Sequence, residues 1–181
     1  VSGQPRALER VAAADLAVLR AVQSAVRSRT AVAAATGLSH AGEHAAAWIA
    51  VGSAGFALDR RRRREWAVAT TAVVAAHGAS VVLKRVARRH RPLEHTVSVR
   101  VATPSRWSMP SSHATSTTAA AIAFAPLLGV PTWPLVPAMA LSRLVLGVHY
   151  PSDVTAGALL GAATTAVVRG GAARLSTRPA P

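Results

Sequence analysis

The sequence has no cysteine, so no disulfide framework or thiolate metal site is available, and the redox compartment leaves no trace in it. Aromatic residues are only 4% of the chain, and seven acidic residues stand against twenty-one basic ones. A net charge of +14 first suggests nucleic acid, but no zinc-finger or helix-turn-helix spacing and no aromatic platform for bases accompanies it. Nucleic acid is therefore not an expected partner. Lysine is nearly missing too: Lys84 is the single lysine beside twenty arginines. No cleavable signal peptide is read, because residues 1–30 hold seven charges and no apolar core.

What the chain has instead is long uncharged sequence. Residues 66–83 and 114–142 contain no charge, nor do 45–58 and 154–168. The outer face of a soluble helix carries charge at almost every turn, and these segments carry none. Runs of about 18 residues cross a hydrocarbon core, and shorter ones do so with tilt or local thinning. The arginines lie between the apolar runs, where membrane proteins keep them, and suit anionic lipid head groups or a phosphorylated substrate. The expected fold is all-α, an integral membrane helical bundle in the cell membrane.

Three parts are expected along the chain. Residues 1–30 read as an amphipathic helix on the membrane surface, with Leu8, Val11, Leu16, Leu19, Val22 and Val26 set against Arg6, Arg10, Arg20, Arg27 and Arg29. Residues 31–169 form the membrane domain, with about five transmembrane helices near 41–58, 66–90, 113–130, 132–149 and 152–168. The arginine-rich segment 59–65 is the turn between the first two and a topological anchor. Residues 170–181 read as a disordered tail.

Chemistry concentrates in three clusters at helix ends. In the first, Lys84 and Arg91 are seven residues apart, two helical turns on one face, and Pro92 ends the helix. In a chain that otherwise uses arginine, the lone lysine marks a place that needs a compact point charge. In the second, Pro110, Ser111, Ser112 and His113 precede the third hydrophobic helix. A serine N-cap with free backbone N–H groups behind it makes a phosphate cradle. The bland reading is a capped helix with an incidental histidine. In the third, Arg143 sits inside an apolar helix that ends at His149, and Asp153 opens the next helix beyond Pro151. A charge in such a helix is costly and faces a partner or a cavity. A carboxylate placed there holds the imidazole tautomer and stabilises its cation.

The order Lys-x6-Arg-Pro, Pro-Ser-x-His, Ser-Arg-x5-His-x3-Asp resembles the signature of the type 2 phosphatidic acid phosphatase family, whose fold is shared with acid phosphatases and vanadium haloperoxidases. That resemblance implies a lipid phosphatase working through a phosphohistidine. His149 is the implied nucleophile, Asp153 its orienting group and His113 the general acid. Lys84, Arg91, Arg143, Ser111 and the backbone near Ser112 bind phosphate oxygens. Three fixed cations supply the charge that phosphoryl transfer needs, so no metal or other cofactor is implied. Ser112 stands where the family usually has glycine.

Segments 39–44, 77–85, 110–121 and 141–153 further resemble an actinobacterial branch acting on a polyprenyl-linked phosphoribose. Rival substrates are polyprenyl pyrophosphates, phosphatidylglycerol phosphate and phosphatidic acid. Rivals outside the class are a vanadate-dependent haloperoxidase and a non-catalytic lipid binder. His40, Glu43 and His44 also spell H-x-x-E-H, an inverted zinc-peptidase pattern whose three side chains would share one face of a helix, though no third ligand follows. The favoured reading sets this cluster on the active-site side, where it recognises a polar head group or serves as a structural polar cluster. Charge counting leaves sidedness nearly balanced and leans to an extracytoplasmic site.

Overall fold

The computed structural model describes residues 4–176. Seven helices make up almost all of it: α1 (Gln4–Ala25), α2 (Arg29–Ala41), α3 (Ala46–Leu58), α4 (Arg63–Ala87), α5 (Ser112–Leu128), α6 (Leu135–Val145) and α7 (Pro151–Ser176). The all-α expectation holds. Single-turn 3-10 segments lead into α3 (Glu43–Ala45) and α4 (Arg60–Arg62).

Helix α5 is the central post. Its Ala- and Thr-rich sequence is buried nearly all round, packed by α4 and α7 and more lightly by α6 and α3. Small side chains make this possible. A Cβ built on Gly157 or Gly161 of α7 would stand 2.6 Å from the Ser111 carbonyl oxygen or 2.3 Å from that of Thr115. Only glycine lets the two backbones approach so closely, the small-residue packing common between membrane helices. At one end of α4 and α5, Trp66, Val73, Phe124 and Leu127 form a buried cluster, with the rings of Trp66 and Phe124 5.6 Å apart. A second cluster, Ala35, Val145, Leu146 and Val148, backs the turn that carries His149 and is covered by Val22 of α1, Val26 in the link that follows it and Val32 of α2.

Val74 and Val82 on α4, Leu141 on α6, and Leu159 and Val167 on α7 point outward and are exposed. Apolar side chains of this number on the outside of a bundle call for an apolar surrounding. Among the described residues, the segment Arg60–Ala87 alone is long and apolar enough to cross a membrane by length and hydropathy. Helices α3 and α6 have 13 and 11 residues, reaching about 20 and 16 Å at ~1.5 Å per residue.

Several sequence expectations need correction. The surface helix expected over 1–30 ends at Ala25, and a second helix, α2, runs from Arg29 to Ala41. The boundary placed at residue 30 therefore falls inside α2. Helix α1 is also docked rather than peripheral, since Asp15, Leu19 and Gln23 are buried against the bundle while Leu8, Val11 and Val18 face outward. Polar and apolar residues thus share its inner face, which the simple apolar stripe did not indicate. The first hydrophobic helix starts at Ala46, after a break in which His44 and Ala45 take left-handed φ values of 51° and 59°. The tail expected to be disordered from Gly170 is helical through Ser176, because Ala172, Ala173, Arg174 and Leu175 favour helix and no proline intervenes. Residues 177–181 lie outside the described residues.

Candidate active site

Four helix ends and one long connection converge on a cavity of about 730 Å³. Its lining includes Lys84, Arg91, Ser112, His113, Arg143 and His149 from the expected cage, and also His40, Glu43 and His44. Ser111 is fully buried just behind it, and Asp153 is buried behind His149. Residues spread over more than a hundred positions of sequence thus share one chamber.

His149 follows α6 at a turn where Gly147 has φ +70°. A Cβ on Gly147 would lie 2.3 Å from the Ser98 carbonyl oxygen and 2.8 Å from Gln23 Nε2, so both backbone conformation and space demand glycine there. The His149 ring is 2% exposed. Arg91 Nη1 lies 3.1 Å from His149 Nε2. A guanidinium only donates, so Nε2 must present its lone pair and the ring proton resides on Nδ1. Nδ1 faces Asp153 Oδ2 at 3.7 Å, an electrostatic contact longer than a hydrogen bond. Burial pushes the His149 pKa down to about 3 against the pull of Asp153, which leaves the ring neutral at physiological pH. The nitrogen facing the cavity's arginine therefore carries the ring's free lone pair.

Asp153 is the first-turn acid of α7 and receives the Tyr150 N–H at 2.8 Å on Oδ2. Its Oδ1 accepts from Arg89 Nη1 at 2.9 Å. Burial works against the Arg89 charge, but hydrogen bonds and charge from Asp15 and Asp153 outweigh it and hold the guanidinium above its ordinary range.

Arg91 is fixed from both sides: Nε donates to the Ser105 carbonyl and Nη1 to the Val148 carbonyl, each at 2.7 Å. Burial lowers its pKa to about 10, with Asp153 opposing, so it remains a cation at neutral pH. Lys84 Nζ donates to the Ser108 carbonyl at 3.1 Å and to the Trp107 carbonyl at 3.4 Å. Arg143 is 2% exposed and donates through Nε and Nη2 to Ser142 Oγ, at 3.1 and 2.9 Å. Three cations line one wall of the chamber with donor capacity left for an oxyanion.

Ser111 caps α5 by accepting from the Ala114 N–H. Ser112, the departure from the usual glycine, accepts from Ser80 Oγ at 2.7 Å, so its hydroxyl is tied to α4. His113 Nε2 donates to the Ser39 carbonyl at 3.0 Å, where α2 nears its end. Its ring edge fills the space beside Gly42, where a Cβ would stand 2.7 Å from His113 Cδ2.

The H-x-x-E-H segment does not share one helix face. Helix α2 stops at Ala41, and Gly42 and the 3-10 turn separate His40 from Glu43 and His44. His40 Nδ1 and Glu43 Oε2 are 4.0 Å apart and well exposed. Among the described residues no three His, Asp or Glu side chains stand close enough to hold a metal ion.

Sequence reasoning passed over two groups at the site. His77 lines the cavity from α4, with its ring 6.3 Å from that of His44 and its Nδ1 buried without a partner. Asp15 and Arg89 stand behind Asp153. The available signal for Asp15 was its isolation, as one of seven acids and in the middle of an Ala- and Leu-rich stretch.

A profile of the PAP2 superfamily matches residues 65–174, the span that holds the cage. The decaprenylphosphoryl-5-phosphoribose phosphatase of Mycobacterium tuberculosis is 49% identical over 162 residues, covering 88% of this chain and 92% of that protein. The protein of the same name from Mycolicibacterium smegmatis is 54% identical over 143 residues, or 78% and 79% of the two chains. Among solved structures, the transmembrane PAP2 phosphatidylglycerolphosphate phosphatase of Bacillus subtilis superimposes with a TM-score of 0.75 at 22% identity, covering 94% of this chain and 90% of that one. Aquifex aeolicus LpxE gives 0.68 at 18% identity, over 86% and 94%. The chain belongs to the PAP2 superfamily and is a membrane phosphatase.

Proposed function

We propose that this protein removes the 5-phosphate from a polyprenyl-phosphate-linked ribose, with decaprenylphosphoryl-5-phosphoribose as substrate. The observation that carries this reading is that one chamber is lined both by the phosphate cage and by the polar group His40, Glu43 and His44. A sugar between phosphate and lipid needs hydrogen-bond partners next to the cage, and that group supplies donors and acceptors. The names of the mycobacterial relatives point to the same substrate.

His149 Nε2 attacks phosphorus, and the bond from phosphorus to the ribose 5-oxygen breaks with its electron pair leaving on that oxygen. His113 delivers the proton to the leaving oxygen, and Asp153 stabilises the imidazolium character that develops on His149. Lys84, Arg91 and Arg143 hold the three equatorial oxygens, with Ser111 and the α5 N-terminus behind them. In the second half, water attacks the phosphohistidine, gives its proton to His113 and releases inorganic phosphate, which restores both histidines. Phosphoryl transfer of this kind rests on positioning and charge.

Helices α3 to α7 form the proposed multi-pass membrane bundle, with the chamber facing the extracytoplasmic side. The arginines of 60–64 then anchor the cytoplasmic end, as the positive-inside rule expects. Because the chain has no cysteine, Thr96→Cys gives one reporter on the exposed active-site connection. A membrane-impermeant maleimide should label it in intact cells. Labelling only after lysis would place the site on the other side.

The substrate is tested by phosphate release in detergent. Polyprenyl-phosphoribose 5-phosphate should be hydrolysed well and phosphatidic acid poorly, and His149→Ala should abolish both activities. Glu43→Ala should erode the preference by about 1–3 kcal/mol, the scale of one unpaired polar group, while sparing a small soluble phosphoester. An equal rate on both lipids in the parent enzyme would overturn the sugar assignment.

A further inference from the structure

The N-terminal helix reaches the catalytic turn through one carboxylate. Asp15 is 4% exposed on the inner face of α1. Its Oδ2 accepts from Arg89 Nη2 at 2.7 Å and also from the Ser152 hydroxyl, while its Oδ1 accepts from the Ser152 N–H at 2.9 Å. Arg89 spends its other terminal nitrogen on the nucleophile's side, with Nη1 2.9 Å from Asp153 Oδ1 and 2.6 Å from Ser152 Oγ. The guanidinium also stacks over the Tyr150 ring at 4.3 Å. A planar fork thus bridges two buried carboxylates 138 positions apart in sequence (153 minus 15), one on α1 and one on α7.

The geometry points to Asp15 as a positioning residue for phosphoryl transfer: it fixes the Arg89 fork, which fixes the Asp153 carboxylate against His149. Three features argue for this over a simple structural tie. Asp153 Oδ2 reaches the Tyr150 N–H and His149, so Arg89 is the side-chain donor on Oδ1 that sets the rotation of the carboxylate. Arg89 alone would bring a positive charge to Asp153 and weaken its stabilising effect on the developing imidazolium. Asp15 balances that charge, so the Asp15–Arg89–Asp153 unit as a whole keeps its negative sign toward the histidine. Finally, Gln23 lies two turns along the same face of α1 and binds Ser98 both ways, with Nε2 2.8 Å from its carbonyl oxygen and Oε1 2.9 Å from its N–H. Its Nε2 also reaches the Val145 carbonyl at the end of α6, at 3.2 Å. Helix α1 therefore clamps the chamber at separate points: Gln23 holds the backbone leading into the His149 turn, and Asp15 reaches the carboxylate beside the nucleophile.

This inference rests on Asp153 orienting His149, and the test separates the two. Asp15→Asn, Arg89→Lys and Asp153→Asn are made singly, together with Asp15→Asn and Arg89→Lys in the Asp153→Asn background. Turnover of a soluble phosphoester, the rate of phosphoenzyme formation in a single turnover and the thermal midpoint in detergent are measured for each. Arg89→Lys keeps the charge but not the fork, so it reports on positioning even where Asp15→Asn disturbs the docking of α1.

Asp15→Asn and Arg89→Lys should lower kcat by about 10- to 100-fold, the range found when an outer partner orienting a metal-bound histidine is removed, with KM within twofold. In the Asp153→Asn background each should cost less than twofold, because residues that act as one unit are not additive. The same loss in both backgrounds would make the contact structural and overturn the proposal. So would parental kcat in either single variant of a folded protein. Parental kcat in Asp153→Asn would instead remove the orienting role of Asp153 itself, and the relay with it.

Discussion

Replacing Arg91 by lysine preserves the charge and removes the planar fork, so it separates electrostatics from geometry at the centre of the cage. Arg91 makes three short contacts: to the Ser105 carbonyl and the Val148 carbonyl at 2.7 Å each, and to His149 Nε2 at 3.1 Å. The first two lie on different nitrogens of the guanidinium and tie the 91–111 connection to the turn that carries His149. One ammonium reaches one of these acceptors, not all. Each hydrogen bond from a charged donor contributes roughly 1.5–3 kcal/mol, so two lost contacts amount to roughly 3–6 kcal/mol. Water entering from the cavity returns part of that to the freed carbonyls, which favours the lower end. At about 1.4 kcal/mol per decade, a 3 kcal/mol loss expressed in the transition state is about a hundredfold in kcat/KM. The loss should fall on kcat more than on KM, because the fork also holds the His149 tautomer with its lone pair on Nε2. The assay is phosphate release from a soluble phosphoester by purified protein in detergent, with the thermal midpoint measured alongside. A variant that melts like the parent and keeps kcat/KM within fivefold would show that charge alone suffices and that the fork is incidental.

Two further outcomes follow from packing and protonation. Gly42→Ala should reduce kcat without backbone strain, since its φ is −84° and only the new Cβ, 2.7 Å from His113 Cδ2 and 2.9 Å from Met139 Cε, must be accommodated. Parental kcat would mean that the His113 ring tolerates displacement from the Ser39 carbonyl. Buried His149 stays neutral in the fold down to about pH 3, whereas the unfolded chain takes up that proton near pH 6.5. Its contribution to stability is therefore intact above about pH 6.5 and is lost progressively as the pH falls toward 3. The thermal midpoint should drop over that window, and His149→Gln should flatten part of the drop; an unchanged slope would refute a buried neutral ring.

The cage was legible in the sequence because its logic is local. Lys84 and Arg91 do not share the helix face that their spacing suggested, since α4 ends at Ala87 and Arg88 turns left-handed, but Ser111 is a helix cap, and His149 and Asp153 flank one tight turn. Each of the latter placements encodes a geometry that needs no distant partner. Long charge-free runs likewise fixed the helical class, since a helix that carries no charge must be buried or face lipid. The lone lysine was a compositional clue of the same kind.

What the sequence did not carry was every feature set by a contact across the fold. The H-x-x-E-H spacing suggested one helix face, but Gly42 ends α2 there, and the His113 ring occupies the space beside it. The break in turn brings His44 near His77, which no spacing announced. Leu8 and Val11 counted as apolar positions of an amphipathic stripe, yet they face outward, and the inner face of α1 is built on Asp15, Leu19 and Gln23. A helical period specifies which residues share a face; it does not specify what that face will meet. Asp15 finds Arg89 and Ser152 only because the tertiary structure lays α1 across the ends of α4 and α7. Partners 74 and 137 residues away leave no periodic mark in the chain, so the carboxylate that completes the charge pattern behind His149 became visible only in three dimensions.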